Sequence, residues 1–305
     1  MIRRFELTDG ALIPAESEQA PIQLYVNPDA AEREALGTLF DLDEHTLSSA
    51  LDPDEVSRIE TEPGRILLIW KRPTNYSGKD TFFFNVASIG MLLLEGRLVV
   101  IVSDNVPLTT GTRHAATLNR PLDVMLGLLL ITIQHYLEHL KVINMIADEI
   151  ETKITHSMEN RHLLNLFTLE KSLVYYLNAI NSNAVVIDRI RNHAEKLGLS
   201  TENRELIDDI SIENTQCYRQ AEIYSNILAS MMDARVSIVS NNLNVLMKTL
   251  NIITIAIMVP TFVVSAFSMN VRIPMSGLHN AFYMVISLAL LSVIGFYFFW
   301  KWKKW

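Results

Sequence analysis

The sequence predicts an α+β amino-terminal domain, then long stalk helices, then a carboxy-terminal hairpin of two transmembrane spans. Three observations carry this. Runs of β-branched and aromatic residues bounded by turn residues are confined to the first 120 positions. From Pro121 to Pro260 hardly a helix breaker occurs. No charged residue lies between Thr249 and Val271 or between Asn280 and Trp300. About 20 apolar residues cross a hydrocarbon core of roughly 30 Å, so both segments are long enough to span.

Within residues 1–120, strands are expected at "IQLYV" (Ile22–Val26), "RILLIWKRP" (Arg65–Pro73), "TFFFNVASIGMLLL" (Thr81–Leu94) and "RLVVIVSD" (Arg97–Asp104). Glu95-Gly96-Arg97 reads as a hairpin turn. "PDAAEREALGTLF" and "DEHTLSSALDP" have helical spacing and cap-like starts, so helices pack on the sheet. No phosphate-binding glycine loop is present.

Residues 121–200 read as two helices. The first opens at Pro121, a residue suited to a first helical turn, and breaks near Ser157–Arg161. The second runs from about His162 to Lys196. "LGLST" ends it, with Gly198 at a C′ position and Thr201 as a fresh N-cap. A third helix then runs through 201–248 and the first span, 249–271, ending near Ser268. At 1.5 Å per residue it would be on the order of 100 Å long, and a helix of that length needs a partner. Residues 272–279 form an outer loop, 280–300 the second span and 301–305 a basic tail.

Charge sets the orientation. Lys301, Lys303 and Lys304 follow the second span directly, and Trp300, Trp302 and Trp305 suit the interface, so the positive-inside bias makes that end cytoplasmic. Two spans then put the amino-terminal portion on the same side, as expected of a multi-pass protein of the cell (inner) membrane. "MIRRFELTDGALIPAESE" turns polar within a few residues, so no secretory leader is visible. The net charge of −8 and the lack of a basic stripe argue against a nucleic-acid partner. The single cysteine, Cys217, excludes an intrachain disulfide and reads as a packed helical residue.

On the first span, at about 100° per residue, Met247, Leu250, Met258, Thr261, Ser265 and Ser268 fall within about 40° of Thr254. Asn251 and Asn244 lie at its edge, about 60° and 80° away. Ile253, Ile255, Val259 and Val263 make the opposite side wholly aliphatic. Such a stripe is either a packing seam, since small hydroxylated residues are enriched where membrane helices meet, or a pore wall built by several copies. One hairpin cannot enclose a path.

"NVLMKTLNIITIAIMVPTFVVSAFSMN" resembles the CorA family of divalent-cation transporters. That family's first span ends in Tyr-Gly-Met-Asn, after a Pro-Thr turn and an upstream Asn-x-x-Met-Lys. Here Asn244, Met247, Lys248, Pro260, Thr261, Phe262, Met269 and Asn270 fall in register without a gap. "LSSALDPDEVSRIETEPGRILLIWKRP" also looks like the family's early helix-then-strand segment, and residues 121–200 would be its "willow" helices. The resemblance implies a funnel-shaped homopentamer that is a channel and not an enzyme. Five first spans would line the pore, with rings at Asn244, Met247, Leu250, Thr254, Met258, Thr261, Ser265 and Asn270. Ser268, Met269 and Asn270 would form the selectivity motif.

The implied cargo is a hydrated divalent cation, Mg2+ above all, which dehydrates reluctantly. No organic cofactor is implied. Two departures stand out: Ser268 and Phe267 replace the family's glycine and tyrosine, and the loop brings Arg272 instead of an acidic residue. A serine could narrow the mouth or change how Asn270 is presented, and five arginines near it would repel cations unless they point outward. In relatives, stalk carboxylates between protomers bind the transported metal. The corresponding position here is Asp209, beside Asp208 and near Glu213, with Asp80 as a partner. Acidic residues that merely face water are the simpler account of both.

Three other readings remain. A ZntB-like zinc carrier belongs to the same superfamily. A membrane-anchored, non-conducting sensor or scaffold would suit Ser268 and Arg272. "HYLEH" (His135–His139) matches the H-x-x-E-H pattern of one metallopeptidase class, but no third ligand is identifiable and apolar periodicity explains the helix.

Overall fold

The computed structural model describes residues 1–8, 10–74, 82–108, 118–156, 160–269 and 279–303, and divides into two units, Met1–Met232 and Asp233–Trp305.

The first unit is built on a seven-stranded sheet: β1 (Ile2–Thr8), β2 (Ala11–Ala15), β3 (Ile22–Val26), β4 (Arg58–Glu62), β5 (Arg65–Pro73), β6 (Val86–Leu94) and β7 (Arg97–Val102). Their order across the sheet is β2-β1-β3-β7-β6-β5-β4. Only β3 and β7 pair in parallel; the other neighbours are antiparallel. Glu95 and Gly96 make the two-residue turn between β6 and β7, and Gly96 takes a φ of 75°, which favours glycine.

Side chains alternate across the central strands. Ile22, Leu24, Leu68, Trp70, Met91, Leu98 and Val100 enter one core, and Tyr25, Leu67, Leu92, Val99 and Ile101 enter the other. Helices cover both faces, so these strands read as continuous apolar runs. That is why the sequence revealed them.

β1, β2 and β4 were not expected. They lie toward the two margins of the sheet, where one face stays wet. β4 alternates Arg58, Glu60 and Glu62 with two residues only, and β2 carries Pro14. Charge and proline protect an edge from pairing with another chain, at the cost of an apolar signal. The run expected to begin at Thr81 pairs only from Val86.

The face bearing Tyr25 and Ile101 is covered by α1 (Ala30–Phe40) and α2 (Glu44–Leu51). Asp29 caps α1 in a full capping box with Glu32, and Asp43 caps α2. The closest approach is at Gly90 of β6, where an added Cβ would meet Ala50 Cβ at 2.5 Å. Beneath the end of α2, buried Lys71 donates to Pro53 O (2.7 Å), Ser88 Oγ (2.9 Å) and Asp52 O (3.4 Å). Burial draws its pKa down to about 8. Asn183 then ties the strand to a helix on the other face, bonding both the N–H and the C=O of Lys71.

That other face packs α3 (Pro121–His156), α4 (Asn160–Asn192) and the first part of α5 (Thr201–Phe267). The link from α4 to α5 has Gly198 at a φ of 62°, as expected of a C′ glycine. The N-cap is Ser200 rather than Thr201: Ser200 Oγ accepts from Asn203 N at 3.2 Å, and Thr201 is already helical. A serine one residue earlier offers the same oxygen to the same orphan amides. Buried residues on α5 recur at Asn203, Ile207, Ile210, Asn214, Cys217 and Ala221, alternating steps of four and three along one face, and again two turns on at Leu228.

The second unit holds the remainder of α5 and α6 (Ala281–Trp302). Both are long and apolar enough to cross a membrane, and no residue of either apolar window is buried.

Candidate functional site

α5 stays helical through the stripe because little there opposes it. Pro260 removes one amide, the donor that would have met Ala256 O. The hydroxyls turn back on their own helix: Thr254 Oγ1 donates to Leu250 O (2.8 Å) and Thr261 Oγ1 to Ile257 O (2.6 Å). This satisfies each proton locally and leaves oxygen lone pairs facing outward. The side of the helix they define is therefore an acceptor surface.

The two helices of the hairpin show which face of α5 is covered. Between Ile252 and Phe267 the half-buried residues are Ile252, Ala256, Val259, Pro260, Val263, Ala266 and Phe267. All lie within about 60° of the line opposite Thr254. On α6 the half-buried residues are Ala281, Val285, Ala289, Ser292 and Phe296, again one line. Small residues on both lines let two helices approach. The hairpin thus closes on the aliphatic face, and every position of the polar stripe is left exposed.

Asn244, Met247, Leu250, Thr254, Met258, Thr261, Ser265 and Ser268 are all exposed, with Asn244 and Met247 also bordering a groove between α5 and α6. Met247, Leu250 and Met258 keep 62%, 63% and 63% of their surface. A seam between the two helices of one hairpin is thereby excluded. The sequence did not mark the α6 line; its signal was the spacing of Ala281, Val285, Ala289 and Ser292.

α5 ends at Phe267. Ser268 N and Ser268 Oγ both donate to Ser265 O, at 3.1 and 2.9 Å. The hydroxyl thereby closes the helix end. Met269 is exposed. Asn270, Arg272 and Asp80 lie outside the described residues.

Asp209 is exposed on α5, and Asp208 approaches Arg191 at 4.0 Å. At about 100° per residue Asp209 shares one face with Ile212, Gln216, Ile223 and Ile227. The three isoleucines are 65%, 56% and 41% exposed, an apolar face that the first unit leaves open.

His139 is buried in the core and His135 is half-buried beside it. His139 Nδ1 lies 2.6 Å from the Tyr176 hydroxyl, and its ring meets Phe84 edge-on. Burial, helped by His135, draws the His139 pKa down to about 4. Among the described residues no group of three or more His, Cys, Asp or Glu converges to hold a metal. Cys217 is fully buried, and burial pushes its thiol up to about 12, the state of an unreactive packing residue.

These features define a class: a mixed α/β domain on a long helix that continues into a two-helix apolar hairpin with a polar outer stripe. The family model described as "CorA-like Mg2+ transporter protein" matches residues 24–304. The chain belongs to the CorA family, whose members are transporters and not enzymes.

The cobalt/magnesium transport protein CorA of Methanocaldococcus jannaschii is 22% identical over 314 residues, covering 97% of each chain. The complete structure of that organism's CorA magnesium transporter superposes with a TM-score of 0.81 at 18% identity, over 98% of this chain and 96% of that one. Full-length CmaX gives 0.71 at 12% identity, over 100% and 97%. The ZntB cytoplasmic domain of Vibrio parahaemolyticus gives 0.60 at 13%, over 78% and 98%. The expected layout of mixed domain, long helix and apolar hairpin is matched along nearly its whole length by the complete CorA and full-length CmaX structures, and over 78% of the chain by the ZntB cytoplasmic domain.

Proposed function

We propose that the chain is a channel for hydrated divalent cations, Mg2+ foremost, formed by five copies whose α5 stripes face a common axis. One observation carries this reading: α6 covers the aliphatic face of α5 and leaves the line through Thr254, Thr261 and Ser265 open. A stripe that does not serve its own hairpin must meet other copies, and acceptor oxygens suit a hydrated cation, whose waters point their protons outward. Met247, Leu250 and Met258 form apolar constrictions that close by dewetting. Asn270 forms the outer ring and Met269 and Ser268 support it. The rest of the wall is neutral, because inward movement gains about 2.3 kcal/mol per charge per 100 mV.

The open face of α5 through Ile212, Ile223 and Ile227 gives the copies a second contact, and Asp209 lies on it, placed to bind the transported ion between protomers and hold the path shut. The lysines at and beyond the end of α6 set both termini on the cytoplasmic side of the cell (inner) membrane.

The test is flux into reconstituted vesicles across Mg2+, Co2+, Ni2+ and Zn2+. Saturable Mg2+ uptake driven by an inside-negative potential is the expected result. Zn2+ uptake alone would reassign the chain as a ZntB-like zinc carrier, and no uptake of any cation would leave a membrane-anchored scaffold.

A further inference from the structure

A cleft of about 300 Å3 lies in the first unit, where the segment that follows α2 meets α4. The segment contributes Pro53, Asp54, Glu55, Val56 and Ser57. Facing it, α4 contributes Tyr175, Asn178, Ala179, Asn181, Ser182 and Val185, and the strand residues Lys71 and Val86 complete the lining. Hydrogen bonds hold the two sides at this separation. Ser182 Oγ accepts from Ser57 N at 2.8 Å, and Asn183 Oδ1 accepts from Ser57 Oγ at 2.7 Å. The volume is that of a site for a small molecule, about 300–1,000 Å3.

Two cations border the cleft, and both are spent. Lys71 gives its protons to Pro53 O, Ser88 Oγ and Asp52 O, and Arg58 is held by Glu55 and Glu60. An anion would therefore find no charged donor. The acceptors are different. Among the described residues the Asp54 carboxylate and the second oxygen of Glu55 take no hydrogen bond, and the exposed amides of Asn178 and Asn181 make none. No third metal ligand joins the two carboxylates, so a bare metal ion is not their complement. Val56, Tyr175 and Val185 are exposed apolar side chains on the same lining, with Val86 half-buried and Ala179 buried beside them. Lys171 lies 5.8 Å from the centre of the Tyr175 ring, which turns positive charge away from that end and toward Asp54 and Glu55.

We infer that this cleft is a binding site for a small organic ammonium. The charged head lies against Asp54 and Glu55, and the apolar body lies along Val56, Val185 and Tyr175. Asn178 and Asn181 receive whatever polar groups the body carries. The bound molecule joins α4 to the segment after α2. Every residue involved belongs to the first unit, so the site stands or falls separately from the ion path.

The test is isothermal titration calorimetry on the full-length protein in neutral detergent, with empty micelles as the blank. The probes share one ring and differ in charge: 2-phenylethylammonium, 2-phenylethanol and phenylacetate. The ammonium is expected to bind once per chain, about tenfold more tightly than the alcohol, while phenylacetate gives no heat above the blank. Asp54→Asn weakens the ammonium about fivefold and Asp54→Glu keeps it, which separates loss of charge from misfolding. Val185→Trp, at an exposed position, fills the cleft and removes binding. Glu195→Gln, on the exposed turn after α4, leaves it unchanged. Equal binding of alcohol and ammonium overturns the proposal, as does tighter binding of phenylacetate. So does full affinity in Asp54→Asn or in Val185→Trp, because the molecule then sits elsewhere. No heat above the blank from the ammonium overturns it outright.

Discussion

Ser268 shows how little a single substitution says until its bond is known. From the sequence, a hydroxyl in place of the family's glycine reads as narrowing the mouth or changing how Asn270 is presented. In the fold it is tied to Ser265 O. Loss of one exposed hydrogen bond costs about 1 kcal/mol or less. Ser268→Gly is therefore expected to leave Mg2+ uptake within about threefold of the parent; a tenfold rise would restore the obstruction reading. Asn270→Ala should instead abolish selective Mg2+ uptake while the oligomer still elutes intact, and unchanged uptake would count heavily against an outer ring at Asn270. His139 sets a different kind of dependence. Its pKa is about 4 in the fold and near 6.5 in an unfolded chain. The unfolded state then binds more protons between those values, so stability is complete above about pH 6.5 and is lost as pH falls toward 4. The loss is on the order of 3 kcal/mol, and His139→Leu should flatten it. Fluorescence of buried Trp70 during denaturant unfolding at pH 4 and pH 7 would read the difference.

At the scale of elements, legibility followed burial. β3, β5, β6 and β7 are covered on two faces and announced themselves as apolar runs, whereas β1, β2 and β4 carry arginine, glutamate and proline at wet margins and did not. The stripe of α5 was legible because its alternative, an aliphatic face, is equally regular. Which of the two faces α6 would cover was not legible, since either line offers small residues. Asn270, the residue the family motif names first, lies outside the described residues, so that part of the site rests on sequence register alone. Gly90 gives a direct check on packing. An added Cβ would come within 2.5 Å of Ala50, and forcing α2 off the sheet costs about 1–3 kcal/mol. Gly90→Ala should lower the unfolding midpoint of the first unit, with Gly64→Ala unsuitable as a control because Gly64 has a φ of 77°. If Gly90→Ala is neutral, the approach of α2 to β6 is looser than described.

For the whole molecule, the open faces of α5 demand company. One hairpin exposes Met247, Leu250 and Met258 as fully as its lipid-facing residues, and only several copies can turn that stripe away from lipid. A pentamer is therefore expected in detergent by light scattering. Asp209→Asn should weaken inhibition of uptake by cytosolic Mg2+; an unaltered dose response would remove Asp209 from regulation. The central claim is that the stripe faces water along a shared axis. Cysteine placed in turn at Thr254, Met258 and Ser265, and at Val259 and Val263 opposite, tests it in the otherwise native chain, whose Cys217 is buried and unreactive. A charged, membrane-impermeant thiol reagent should label the first three during Mg2+ uptake and block it, and leave the valine positions untouched. Labelling of Val259 and Val263, or no labelling at Thr254, Met258 and Ser265, would contradict the account.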